Sequence, residues 1–118
     1  MSSPIFGTER LIICDASPLI LLAKVGQLDL VSLFAKEVWI PDRVWLEITA
    51  PPRRPEMIDL ERRFSSSIKK VDRDIHADFA LVVDDGEAGV LALATQEADA
   101  WLLMDDRKGR TVAAARGF

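Results

Sequence analysis

Three apolar runs too short to be helices recur along this chain, LIIC at residues 11–14, VWI at 38–40 and WLLM at 101–104, with helix-patterned stretches between them. In each run the apolar residues occupy successive positions instead of alternating ones. That is the pattern of a strand covered on both faces, as in a parallel sheet. Parallel neighbours cannot be joined by a tight turn, so a crossover, usually helical, must lie between them. The alternation therefore predicts an α/β fold, a parallel sheet sandwiched between helices and built from right-handed crossovers.

The intervening segments carry helix signals of their own. Ser17 and Pro18 read as a capping hydroxyl followed by a first-turn proline, with LILLAKV continuing as an apolar helix to Gly26 and a second helix over 27–35. Pro41 opens a helix over DRVWLEITA, which the Pro51-Pro52 pair ends. A helix over 55–64, a serine turn and a short strand at 68–71 follow, whereas 72–83 carries no clear pattern. His76 lies in that stretch without a second His or Cys at metal-site spacing, so it reads as a surface or packing histidine. DDGEAGVLALATQEA combines a capping start at Asp84 with alanines and leucines every three to four residues, the mark of a helix. RKGRTVAAARGF reads as a last helix stopped by Gly117, and the chain ends where another strand would be natural, so the sheet is expected to lack its last edge strand.

A chain of 118 residues with 49% apolar and 29% charged residues fits a single domain over 1–118. No apolar run approaches the roughly 18 to 20 residues that cross a bilayer, and MSSPIFGTER lacks the pattern of a secretory signal, so a cytoplasmic protein with no membrane association is expected. The one cysteine, Cys14, sits within LIIC and reads as a small core residue, not a nucleophile. A net charge of −4 argues weakly against nucleic-acid binding, but the charge is segregated. Arg107, Lys108, Arg110 and Arg116 form one basic stretch without an acid, and Arg53, Arg54, Arg62, Arg63, Lys69, Lys70 and Arg73 dominate residues 53–73. Trp39, Trp45 and Trp101 read as core or interface anchors before base-stacking platforms.

The acids carry the chemistry. Ligands of parallel α/β sheets bind beyond the carboxyl ends of the strands. Asp15 follows the first run, Asp105 and Asp106 follow WLLM, Glu87 falls in the first turn of the helix between, and Glu47 lies on the helix after the second run. Each has a plainer reading: Asp15 as a cap, Glu87 as partner of Asp84 in a capping box, Glu47 as a solvated position beside Val44 and Ile48, Asp105-Asp106 as a turn. Their joint placement favours function, because independent capping would not put acids at the same end of a sheet each time. Converging carboxylates repel unless a cation neutralises them. Without Cys or His partners the set suits a hard ion, Mg²⁺ or Mn²⁺, and phosphodiester hydrolysis.

Three stretches, LIICDASPLILLAKVGQLDLV, VWIPDRVWLEI and DDGEAGVLALATQEADAWLLMDDRKGRTVAAARGF, resemble the PIN-domain family, in particular its short VapC-like toxins. The resemblance rests on a strand followed by D-x-S-x-L, a P-x-x-V-x-x-E helix, a G-E-A helix and a strand ending in D-D-R, in the family's order. It implies a three-layer α/β/α, Rossmann-like sheet and an Mg²⁺- or Mn²⁺-dependent ribonuclease, the toxin of a toxin-antitoxin pair held by a small antitoxin protein; a missing edge strand, which leaves its neighbour unpaired, favours a homodimer or a partner that covers it. Residue by residue, Asp15, Glu47, Glu87 and Asp106 match the family's acids as catalytic residues. Asp15, Glu87, Asp105 and Asp106 would hold metal, Ser17 matches a supporting hydroxyl, and Arg107, Lys108 and Arg110 would contact RNA. The alternatives are a catalytically inactive PIN-like scaffold binding RNA or protein, and a receiver-type phosphoacceptor domain, whose acidic pair would instead follow the first strand.

Overall fold

The computed structural model describes residues 11–97 and 99–104. Four parallel strands, β1 (Leu11–Cys14), β2 (Glu37–Pro41), β3 (Ile68–Lys69) and β4 (Trp101–Leu103), form one sheet in the order β3-β2-β1-β4. Six α-helices flank it to give a three-layer α/β/α arrangement: α1 (Ala16–Lys24), α2 (Asp29–Phe34), α3 (Asp42–Thr49), α4 (Met57–Phe64), α5 (Arg73–Phe79) and α6 (Asp85–Ala94). The chain steps outward from β1 to β2 to β3, then returns across the sheet to lay β4 on the free side of β1. β1 and β4 thus flank a topological switch point, where strand ends diverge and leave a crevice.

The strands form where the apolar runs predict. Ile13 and Cys14 are fully buried, and Ile13 pairs with Trp39 on one side and Leu102 on the other. Full burial of an Ile or Leu side chain contributes about 1.5 to 3 kcal/mol, and β1 sits where both sheet faces are covered. WLLM is less enclosed than its composition predicts. Trp101 is 40% exposed because β4 has a paired neighbour on only one side among the described residues. The strand expected over 68–71 shortens to Ile68–Lys69, and the patternless 72–83 holds α5, capped by Asp72, whose side chain accepts from the Asp74 and Ile75 amides.

α6 is the central helix: every residue from Gly86 to Ala94 is buried, packed against α3, α5 and the sheet. Its small residues permit that closeness. A Cβ on Gly89 would come within 3.0 Å of Pro41 Cβ and 3.3 Å of Arg43 Cβ, so α6 lies almost directly on the β2–α3 junction. The last helix and any strand after it, with Asp105, Asp106, Arg107, Lys108 and Arg110, lie outside the described residues.

Candidate functional site

Asp15 leaves β1 at the switch point, its amide donating to Leu103 O at 2.9 Å and so tying the carboxyl ends of β1 and β4 together. It has extended backbone and serves as the N-cap of α1, with Oδ1 accepting from the Ala16 amide at 2.8 Å. The cap predicted at Ser17 is therefore two residues late. Asp15 supplies the acceptor, Ser17 falls in the first helical turn, exposed, and Pro18 is buried beside it. The carboxylate of Asp15 is itself buried, with the residue 6% exposed.

Glu47 reaches the same place from α3. Val44 and Ile48 anchor that helix in the core, and Glu47, one turn after Val44, borders this buried stripe. The residue is largely exposed, yet its carboxyl end turns inward. A Cβ on Gly86 would stand 2.9 Å from Glu47 Oε1, 3.3 Å from Asp15 Oδ1 and 3.5 Å from Val44 Cγ2. Two carboxylate oxygens from distant segments thus face one small space that exists because residue 86 has no side chain. Loss of water at that carboxyl raises the pKa of Glu47, the Asp84 charge raises it further, Arg54 opposes the rise and Asp85 adds to it. Glu47 is thus exposed as a residue, as local sequence allows, while one carboxylate oxygen faces the space at Gly86.

Glu87 follows Gly86 and is 3% exposed. Its local role is the capping box: Asp84 Oδ1 accepts from the Glu87 amide at 2.9 Å, and Glu87 Oε1 accepts from the Asp84 amide at 3.2 Å. The structure therefore brings Asp15 and Glu47 together at Gly86 and turns one oxygen of Glu87 back to its own helix start. Among the described residues no three His, Cys, Asp or Glu side chains are grouped to hold a metal ion. Asp105 and Asp106, expected to complete the cluster, follow β4 outside those residues.

The pair nevertheless suits a hard cation. Its donors are all oxygens, the cradle over Gly86 is one that a methyl group would fill, and the raised pKa of Glu47 reports crowded negative charge with little water. Cys14, directly behind Asp15, adds no soft ligand or nucleophile, because burial and then the Asp15 charge push its thiol up to about 12.

Sequence reasoning missed two features, and gave a third, the packing role of His76, without its partners. Gly86 reads as part of a helix start, although glycine in a first turn beside two acids is itself a signal of close approach. His76 is buried, its Nε2 3.0 Å from the Asp85 carbonyl oxygen and 3.1 Å from Asp85 Oδ1, so it fastens α5 to the first residue of α6, with Arg43 of α3 on the same carboxylate at 3.6 Å. Arg54 belongs to a basic stretch that reads as surface, but lies near enough to Glu47 for its charge to be felt there. An apolar pocket of about 280 Å³ lies elsewhere, lined by residues including Ile12, Leu22, Leu30, Phe34, Trp101 and Leu103.

A parallel α/β sheet with a crevice at its switch point defines the class of Rossmann-like domains, whose ligands bind there. Within it, the profile of a family described as a PIN domain matches residues 11–118, and this chain belongs to the PIN-domain family. No curated protein and no solved structure matches it significantly. PIN domains are generally nucleases and typically use divalent metal ions. No helix among the described residues is long and apolar enough to cross a membrane.

Proposed function

We propose that this chain is a metal-dependent endoribonuclease, with Asp15 and Glu47 at the centre of its site. The observation that carries this reading is the convergence of Asp15 Oδ1 and Glu47 Oε1 on the space above Gly86. Glu87, beside that space, and Asp106, with Asp105, from the segment after β4, would complete the ligand set. A bound Mg²⁺ or Mn²⁺ supplies a water activated for in-line attack and neutralises charge on the phosphate. The protein's part is positional. The Ala16 amide fixes the orientation of Asp15, the Val44 and Ile48 anchors fix the helix that carries Glu47, and the capping box fixes the start of α6. Ser17, exposed in the first turn of α1, would support the site from its rim, and Arg107, Lys108 and Arg110 would meet RNA phosphates.

The particular reading is the toxin of a toxin-antitoxin pair. Leu21, Val25, Leu33 and Phe34 leave α1 and α2 with apolar surface beside the apolar pocket, the surface a small antitoxin protein or a second copy in a homodimer would cover. Two observations favour the alternative, an inactive scaffold: Glu87 commits an oxygen to its cap, and the described residues group no three His, Cys, Asp or Glu side chains to hold a metal.

Cleavage of single-stranded RNA in Mn²⁺, with and without chelator, separates the two. The native protein is expected to cleave only with metal. Asp15→Asn keeps an acceptor for the Ala16 amide, so it should fold yet lose nearly all activity. Cleavage that survives chelator or the Asn substitution would overturn the reading.

A further inference from the structure

Gly86 lies in the first turn of α6, and the bonds within that turn do not decide where it sits. The capping box of Asp84 and Glu87 ties the helix start to itself, so it fixes the shape of the turn and travels with it. Location comes from contacts with other elements. Further along, the close approach of Gly89 to Pro41 sets α6 on the β2–α3 junction. At the start, Arg43 of α3 meets the Asp85 carboxylate at 3.6 Å, but both side chains are substantially exposed and such a pair holds weakly. His76 of α5 is buried, and its Nε2 lies 3.0 Å from the Asp85 carbonyl oxygen and 3.1 Å from Asp85 Oδ1.

The carbonyl that His76 binds is the one joined to the Gly86 nitrogen. Because a carbonyl oxygen only accepts, Nε2 carries the donated proton in that bond. The ring thereby pins the plane of the Asp85–Gly86 peptide, and that plane includes the Gly86 Cα on which Asp15 Oδ1 and Glu47 Oε1 converge. There is little slack at this point, since a Cβ on Gly86 would already stand 2.9 Å from Glu47 Oε1. α5 can serve as the anchor because its own start is fixed. Asp72 Oδ1 accepts from the Asp74 and Ile75 amides, the His76 amide donates to Asp72 O at 3.0 Å, and Phe79, one turn after His76, is buried in the core.

We infer that His76 is a positioning residue of this site, holding the Asp85–Gly86 peptide at the height that lets Asp15 and Glu47 share one cation above it. The inference rests on the nuclease reading and deepens it. His76 is not itself a ligand; it acts through the backbone of Gly86, as groups behind the ligands of a metal site do. A histidine that only filled the core could give way to any side chain of its volume, whereas one that sets this peptide needs its N–H.

The test compares His76→Leu, which fills the ring's volume without a donor, His76→Gln, which returns an N–H at about the reach of Nε2, and Phe79→Leu, which loosens α5 and leaves the His76 bond in place. Each is measured for Mn²⁺ affinity by calorimetry, for melting temperature in chelating buffer, and for hydrogen exchange of the Glu87 amide, whose acceptor is Asp84 Oδ1. His76→Leu is expected to weaken Mn²⁺ binding roughly 10-fold and to speed exchange at Glu87. Gln should recover most of both, and Phe79→Leu should bind Mn²⁺ as the native chain does even though it melts lower. Native-like affinity in His76→Leu would overturn the proposal. So would a loss that Gln leaves unrepaired, or an equal loss in Phe79→Leu, which marks a general softening of α5. If the native protein binds no Mn²⁺, the nuclease reading fails while the exchange still decides His76: a faster Glu87 amide in the Leu variant, restored by Gln, supports the positioning, and an unchanged rate overturns it.

Discussion

Replacing Gly86 with alanine should separate folding from function by a single methyl group. The new Cβ would lie 2.9 Å from Glu47 Oε1 and 3.3 Å from Asp15 Oδ1, against an ordinary carbon–oxygen contact of about 3.4 Å or more. Asp15 is buried and bound to the Ala16 amide, so it cannot retreat, and Glu47 must move by about half an ångström or swing out of the cradle. That movement is cheap for stability, because the displaced atom ends a flexible side chain on an accessible helix face. Alanine also favours the helix over glycine by up to about 1 kcal/mol. It is expensive for coordination, since Mg²⁺ holds oxygen ligands near 2.0 to 2.1 Å with little tolerance. Misplacing one ligand of such a site typically costs about 10- to 100-fold in affinity or activity, or about 1.4 to 2.8 kcal/mol. Gly86→Ala should therefore melt at or slightly above the native temperature while losing that much Mn²⁺ affinity and RNA cleavage. Gly89→Ala is the contrast: its Cβ meets Pro41 and Arg43 side chains close to the backbone, so it should lower stability by about 1 to 3 kcal/mol. A Gly86→Ala protein that binds Mn²⁺ as the native chain does would refute the reasoning.

Two further outcomes follow from the electrostatics. The pKa of Glu47 is raised in the fold, so the folded chain binds a proton more tightly than the unfolded one, and stability should fall as pH rises from near 4.5 through the folded value. In chelating buffer Glu47→Gln should accordingly melt above the native protein at pH 7, with the gap closing below pH 4; a constant gap would mean that ionisation is not the cause. Cys14 should resist thiol reagents at pH 8 in the folded protein and react freely once denatured, because the buried thiol stays protonated. Rapid labelling in the folded state would contradict its placement behind Asp15.

Most of the fold was legible because its signals are local. LIIC and VWI have nowhere to go but a covered sheet, Pro41 opens α3, and the DDGE start with its alanines specifies α6 through capping and spacing. The region 72–83 was not, since α5 has no long apolar stripe and is fixed by the Asp72 cap and by His76 binding the start of α6. In the site, Asp15 and Glu47 were legible as acids at strand ends, but their meeting point was not: it depends on the absence of a side chain at Gly86, which sequence alone reads as a weak helix residue. Glu87 shows the opposite case, where the plain capping reading and the functional one fall on the same atoms, and the hydrogen bonds make the capping role visible.

Diffraction from crystals grown in Mn²⁺, with anomalous data, addresses the pairing of Asp15 with Glu47 most directly. A peak bonded to both carboxylates above Gly86, within about 2.2 Å of each, is the expected result. Saturating Mn²⁺ that leaves that space empty, or that binds only elsewhere on the molecule, would contradict it.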